Sequence, residues 1–298
     1  MTNKPAESRH RWAAFGATVA GPSHSRVGLA NEDAVAWRCD PAGRWASVAV
    51  ADGHGHSLAV RAGTGARLAV ADAVELAEAF CAGHDGSAGD ANPPELASAL
   101  RGNWLRSIEQ DALQSPIGDE ELNRSGQATM LAAHPELAYG TTLVVALAVG
   151  ELAFAYQIGD GEVVAVGADG RVHRPLPTDG RLVGTRTTSM ASRTALEDFR
   201  AGPISTPGVS LEVIVAASDG YVNSFATDEG WVAAGADLWS LLHSKGVDAV
   251  HGALPGWLQS TSAEGAGDDA TVAVLFDQAA LGDDPGGTGE PADGLGEP

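Results

Sequence analysis

Short apolar runs that end at glycine, aspartate or proline recur along the chain, and they restrict its fold more than any other feature. They are typical of β-strands bounded by turns. The runs cover residues 13–20, 46–52, 141–149, 152–160, 162–170, 211–219 and 271–277. Glycines at Gly150 and Gly161 separate consecutive runs, which predicts two antiparallel hairpins.

Helical patterns occupy the segments between these runs. Residues 58–80 are rich in alanine, and residues 95–113 place Leu96, Leu100, Trp104 and Ile108 on one face. Two further helices are predicted near residues 238–242 and 247–258, the second kinked at Pro255. Antiparallel strands with helices in blocks predict an α+β layered domain.

One domain is expected over residues 11–277, and long loops are predicted at 83–94 and 115–138. Residues 278–298 are rich in glycine, proline and acid and contain no basic residue. Such a composition buries too little apolar surface to fold, so a disordered tail is expected there.

The net charge of −21 opposes binding to nucleic acid or to an anionic membrane, and it favours cations as small partners. The first residues lack the apolar core of a signal peptide, and no apolar run is long enough to cross a bilayer. A cytoplasmic protein is therefore expected. Two distant cysteines do not form a zinc pattern, so a metal would be held by oxygen or histidine.

Carboxylates cluster where the predicted strands begin and end. They are Asp52, Asp160 and Asp219, each followed by glycine, and Glu32, Asp33, Asp268 and Asp269, each just before an apolar run. A single Asp-Gly pair is usually an ordinary turn. In antiparallel sheets, however, strand starts lie beside strand ends, so all these carboxylates could share one rim. There they would repel one another unless Mg²⁺ or Mn²⁺ lay among them.

Two such ions roughly 3.5 to 4 Å apart can activate a bridging water for displacement at phosphorus, which indicates phosphoester hydrolysis. Gly53, having no Cβ, lets its carbonyl approach an ion. His54 is either a proton donor or a surface histidine, and His56 is interpreted as a surface residue. Thr141 and Thr142 either support ligands through hydrogen bonds or simply open a buried strand.

Six segments together resemble the metal-dependent protein phosphatases of type 2C, and most closely the compact bacterial branch. They are NEDA (31–34), VADGHG (50–55), YGTTLVVAL (139–147), QIGDGEV (157–163), AASDGYVN (216–223) and GDDATVAVL (267–275). The resemblance implies a four-layer αββα sandwich with two mostly antiparallel sheets. It also implies hydrolysis of phosphoserine and phosphothreonine in proteins, opposing a serine/threonine kinase.

The resemblance further implies a role for each matching residue and a requirement for two or three Mn²⁺ or Mg²⁺ ions. Asp52 would bridge two ions, and the Gly53 carbonyl would bind one of them. Asp219 and Asp268 would complete one ion's shell, and Glu32 and Asp33 would reach the other. Asp160 falls at a third metal site, and His54 at the general acid.

The sequence departs from the family pattern where an arginine commonly binds the substrate phosphate. That position is Gly28, which leaves Arg26, Arg61 and Arg186 as candidates, with Arg26 the nearest in sequence. His56 also replaces a glycine, and GDG replaces GDS. Two alternatives to an active protein phosphatase follow: a regulatory pseudophosphatase of the same fold, and a two-metal hydrolase of small phosphate esters.

Overall fold

The computed structural model describes residues 11–83, 93–182, 186–206, 208–282 and 294–295. Its strands are β1 (Trp12–Val19), β2 (Ala34–Cys39), β3 (Trp45–Ala51), β4 (Leu143–Val149), β5 (Leu152–Ile158), β6 (Glu162–Gly167), β7 (Val172–His173), β8 (Arg200–Pro203), β9 (Leu211–Ala217), β10 (Ala270–Asp277) and β11 (Gly294–Leu295). Its helices are α1 (Pro22–Val27), α2 (Ala62–Ala82), α3 (Pro93–Gln114), α4 (Asp119–Ser125), α5 (Ala128–Ala133), α6 (Ala195–Asp198), α7 (Asp219–Val222), α8 (Asp228–Lys245), α9 (Val247–Glu264) and α10 (Gln278–Leu281), and a 3-10 helix spans Pro135–Tyr139.

The strands form two antiparallel sheets that pack face to face. One has the order β1-β10-β9-β6-β7, and the other has the order β11-β2-β3-β4-β5-β8. Successive side chains of a strand point to opposite faces, so Val48 and Val50 of β3 pack between the sheets, whereas Ala49 and Ala51 join the core shared with α2 and α3. Helices α8 and α9 cover the other sheet. The expected αββα sandwich is confirmed.

The hairpin at Gly150 is confirmed, because β4 pairs with β5 in register. The hairpin predicted at Gly161 is wrong: β5 and β6 lie in different sheets, and β6 pairs with β9 and β7. The chain crosses between the sheets through Gly159, whose φ of +100° favours glycine. The crossing leaves Asp160 at the end of the sandwich, between the two sheets.

Two other segments differ from expectation, whereas the kink predicted at Pro255, inside α9, stays a prediction. The loop predicted over 115–138 contains α4, α5 and the 3-10 helix. In the tail predicted to be disordered, α10 follows β10 directly, and β11 pairs with β2. Residues 84–92 of the other predicted loop lie outside the described residues. No helix in the described ranges is both long and apolar enough to span a membrane.

Packing of α3 against α2 depends on Trp104, which is fully buried and donates from Nε1 to the Gly65 carbonyl at 3.0 Å. Trp104→Ala should lower the free energy of unfolding by about 3–5 kcal/mol, because it leaves a large cavity between the helices. Urea denaturation measures this. Leu113→Ala on the same helix is the control, since Leu113 is 78% exposed and its loss should change stability by less than about 0.5 kcal/mol. Similar losses in both variants would contradict the prediction.

Candidate active site

The carboxylates expected at one rim do meet at one end of the sandwich. Asp33 precedes β2 and Asp52 follows β3, and the pairing of Ala34 with Ala51 makes them neighbours. On the other sheet, Ala217 pairs with both Glu162 and Val272, which brings together the chain ends that carry Asp160, Asp219 and Asp268. Asp52 interacts with Asp33, Asp219 and Asp160, so the two sheets contribute to one cluster.

Burial and mutual repulsion disfavour the charged form of these carboxylates. Burial, followed by the charges of Asp33 and Asp219, raises the pKa of Asp52 well above its usual range. Burial raises the pKa of Asp33 to about 7, although Thr271 Oγ1 donates to its Oδ2 at 2.6 Å. Burial is also the main cause of the raised pKa of Asp160.

The same holds at the edge of the cluster, where burial raises the pKa of Glu32 and of Asp268. Among the described residues, no arginine or lysine forms an ion pair with Asp33, Asp52 or Asp219. The negative charge at the centre of the cluster therefore has no cationic side chain to balance it, and oxygen ligands of this kind suit a divalent cation.

The main chain of Asp52 is fixed by two threonines at the start of β4. Thr141 Oγ1 donates to the Asp52 carbonyl at 2.8 Å, and the Asp52 N–H donates to Thr142 Oγ1 at 3.1 Å. The hydroxyl groups therefore support the candidate ligand through its backbone. Gly53 forms a bridge with Thr141, and a Cβ at Gly53 would lie 2.8 Å from the Glu32 carbonyl oxygen. Only glycine allows the two segments to approach so closely.

Asp269 has a role that the sequence does not indicate. Its buried carboxylate accepts from the N–H groups of Gly21 at 2.8 Å and Glu32 at 2.7 Å, and it contacts His24 Nδ1 at 2.8 Å. These contacts hold the segment from α1 to Glu32 against the cluster. His24, Asp268 and Asp269 each offer a ligand atom within 4.8 Å of the others, and no sequence pattern pointed to His24.

The two histidines after Asp52 differ in environment. The His54 N–H donates to the Gly140 carbonyl at 3.0 Å, and burial, with a smaller effect of His56, lowers the pKa of His54 to about 4. The His54 imidazole is therefore neutral at pH 7. His56 is exposed, and its Nδ1 accepts from the Leu58 N–H at 3.0 Å, so it stabilises the turn that leads to α2.

The three candidate phosphate-binding arginines also differ. Arg26 is exposed, and its Nε donates to the Pro22 carbonyl of its own helix at 3.0 Å. Arg61 is engaged by the scaffold, since it binds both carboxylate oxygens of Glu121 at 2.7 and 2.8 Å. Arg186 is exposed and lines a cavity together with Asp160.

Gly28 ends α1 with φ of +71°, a conformation that favours glycine over arginine. The absence of arginine at this position is therefore consistent with the local backbone: α1 ends where the family commonly has its phosphate-binding side chain.

Comparison with known proteins agrees with this arrangement. The family model of protein phosphatase 2C matches residues 20–259. The chain belongs to this family. Its members are metal-dependent and act on phosphoproteins. No curated protein matches the sequence.

Three solved structures share the phosphatase 2C fold with this chain. PppA of Pseudomonas aeruginosa is 19% identical, with 91% of this chain and 100% of that chain covered and a TM-score of 0.54. The S. agalactiae serine/threonine phosphatase is 18% identical, with 90% and 100% covered and a TM-score of 0.53. Mycobacterium tuberculosis PstP/Ppp is 18% identical, with 89% and 98% covered and a TM-score of 0.53.

The raised carboxylate pKa values predict how the metal-free protein responds to pH. Between the usual Asp pKa of 3.8 and about 7, folded Asp33 holds a proton that unfolded Asp33 has lost, so stability falls as pH rises through this range. In EDTA, Asp33→Asn should raise the melting temperature at pH 7.5 and weaken the pH dependence. Thermal unfolding at pH 5 and 7.5 measures both effects.

Asp40→Asn is a control of opposite sign. Hydrogen bonds from Arg44 lower the pKa of Asp40, so this substitution should reduce the melting temperature at pH 7.5. If Asp33→Asn also reduces it, the carboxylate cluster does not destabilise the metal-free protein.

Proposed function

We propose that this chain is a metal-dependent protein serine/threonine phosphatase that hydrolyses phosphoserine and phosphothreonine monoesters. The observation that carries the proposal is the cluster of buried Asp33 with partly exposed Asp52 and Asp219, at the end of a phosphatase 2C fold and without a cationic partner among the described residues. Carboxylates in this arrangement are stabilised by divalent cations. A phosphoprotein substrate implies an opposing serine/threonine kinase.

The donor set fits hard cations such as Mn²⁺ and Mg²⁺, because all its atoms are oxygens. The residues that would hold two ions are Glu32, Asp33, Asp52, Gly53 through its carbonyl, Asp219 and Asp268, with Asp160 at a third site. Bound ions would neutralise phosphoryl oxygens and lower the pKa of water. Thr141 and Thr142 would keep Asp52 in place during turnover, through the backbone hydrogen bonds described above.

We assign to His54 the transfer of a proton to the seryl or threonyl oxygen as it leaves. Because burial keeps the His54 imidazole neutral at pH 7, the ring must take up a proton as the phosphate dianion approaches. Its backbone hydrogen bond to Gly140 fixes the main chain of His54, two residues after Asp52.

One observation favours the regulatory pseudophosphatase as a second candidate. Arg26, the arginine nearest to the expected phosphate-binding position, donates to its own helix, and Gly28 occupies that position. A protein of this kind would bind metal and a phosphoprotein without hydrolysing the phosphate.

Substitution of the central carboxylates tests the proposed activity. Purified protein should release phosphate from p-nitrophenyl phosphate and a phosphothreonine peptide with Mn²⁺ or Mg²⁺, and EDTA should stop the reaction. Asp52→Asn and Asp219→Asn should each lower kcat/KM by more than about 100-fold, since even outer-shell partners of metals are worth 10- to 100-fold. Asp248→Asn is the matched control, because Asp248 lies near the start of α9, and this substitution should leave kcat/KM unchanged.

The outcomes separate the candidates. Protein that binds Mn²⁺ but turns over neither substrate would support the pseudophosphatase. Hydrolysis of small phosphate esters without hydrolysis of the phosphopeptide would instead indicate a small-molecule phosphatase.

A comparison of leaving groups tests the role of His54. His54→Gln should lower kcat for a phosphoserine peptide by about 100-fold or more, the range for general acid catalysis. It should affect p-nitrophenyl phosphate much less, because p-nitrophenolate leaves without protonation. His56→Gln is the control, since His56 stabilises a turn and should lower both rates equally or not at all. Equal losses for both substrates in His54→Gln would exclude a proton-donating role.

A further inference from the structure

A cavity of about 250 Å³ opens beside the carboxylate cluster, between the start of β6, the segment that follows β7, and α7. Asp160 and Asn223 connect it to the cluster, because both line the cavity and Asn223 Nδ2 donates to Asp219 Oδ2 at 3.0 Å. Thr187, next to Arg186, donates to Asp160 Oδ1 at 2.7 Å. A peptide whose phosphate reaches the cluster would therefore place a neighbouring side chain in this cavity.

Most charged side chains of the cavity are held in ion pairs, with Arg174 serving two carboxylates. Arg174 binds Glu162 at 3.0 Å and forms a bidentate pair with Asp228. Asp179 is paired with Arg181 at 2.7 Å. The charged groups of the lining that are not in these ion pairs are Asp160, which interacts with the carboxylate cluster, and two arginines.

Within the described ranges, neither Arg186 nor Arg200 has a carboxylate at ion-pair distance, although the charge of Arg200 interacts with Asp179, Glu162 and Asp160. Arg200 is partly buried and donates to the carbonyls of Pro177 at 3.0 Å and Gly159 at 2.8 Å, so its charge is not cancelled by an ion pair. Arg186 is exposed and, in the described part of the chain, has neither a hydrogen bond nor an ion pair. The guanidinium group of Arg186 can therefore bind a carboxylate with two parallel hydrogen bonds.

We propose that this cavity receives an acidic side chain next to the phosphorylated residue of the substrate, with Arg186 as the group that contacts it. The proposal rests on the function proposed above. Arg200 adds positive charge to the wall of the cavity. Because the chain carries a net charge of −21, acidic peptides are repelled elsewhere, and the cavity would select substrates with the acid in one position.

Phosphothreonine peptides with a single glutamate at each position from −3 to +3 test the proposal, alongside a peptide with alanine at all six. We expect glutamate at one or two positions to raise kcat/KM about 3- to 10-fold, mainly through KM. The advantage should decrease with added salt, because screening weakens an exposed ion pair.

Arg186→Ala should bring the glutamate-to-alanine ratio of kcat/KM to about 1. Arg186→Glu should bring this ratio below 1, and it should favour a further peptide with lysine at the same position. Arg193→Ala is the matched control: Arg193 is an exposed arginine outside the cavity, and its loss should leave the ratio unchanged. The proposal would be overturned if the wild-type protein had equal kcat/KM for all the peptides, or if Arg186→Ala kept the full advantage of the glutamate peptide.

Failure of the proposed phosphatase activity would give a different result. If the wild-type protein with Mn²⁺ hydrolyses none of the substrates, fluorescence anisotropy with the same labelled peptides decides the question. Tighter binding of the glutamate peptide, lost in Arg186→Ala, would support the acidic subsite in a protein without turnover. Equal binding of the glutamate and alanine peptides would overturn it.

Discussion

Repulsion among closely spaced carboxylates is the constraint on which the architecture of the site depends. Asp33, Asp52 and Asp219 come from three strand ends in two sheets, and their charges raise the pKa of Asp52 beyond the effect of burial. Such groups separate unless a rigid scaffold holds them. The sandwich provides that scaffold through long, paired strands, and local contacts add to it: two threonines fix the backbone of Asp52, and Asp269 fixes Glu32.

Much of the fold could be predicted because strand and helix periodicity are local properties of the sequence. The apolar runs, the hairpin at Gly150 and the helices with one apolar stripe all follow from patterns within about 20 residues. The hairpin at Gly161 could not be predicted correctly, because the same Gly-containing turn serves a hairpin or a crossing between sheets. The paired strands β6 and β9 are about 50 residues apart in sequence, so no short sequence pattern predicts their pairing.

In the site, likewise, short sequence motifs predict some features, whereas contacts between remote segments determine others. Its carboxylates could be located, because each stands at a strand end and together they match a known family. Side-chain partners could not be predicted, since they depend on distant segments: His24 meets Asp269 across 245 residues, and Arg61 meets Glu121 across 60. The neutral state of His54 likewise results from burial, which no local pattern of the sequence indicates.

The distribution of arginines bears on how the chain could bind a substrate phosphate without an arginine at position 28. With 18 basic residues against 39 acidic ones, most arginines near the site are committed to the scaffold, as Arg61 is to Glu121 and Arg174 is to Glu162. One guanidinium donor of Arg26 on α1 is engaged by its own helix, so in the proposed mechanism most of the positive charge that receives a phosphate dianion would come from bound metal ions. The guanidinium of Arg186, which has no partner among the described residues, lines the same cavity as Asp160. If both proposals hold, metal would bind the phosphate that every substrate shares, and Arg186 would contact the side chains that distinguish one substrate from another.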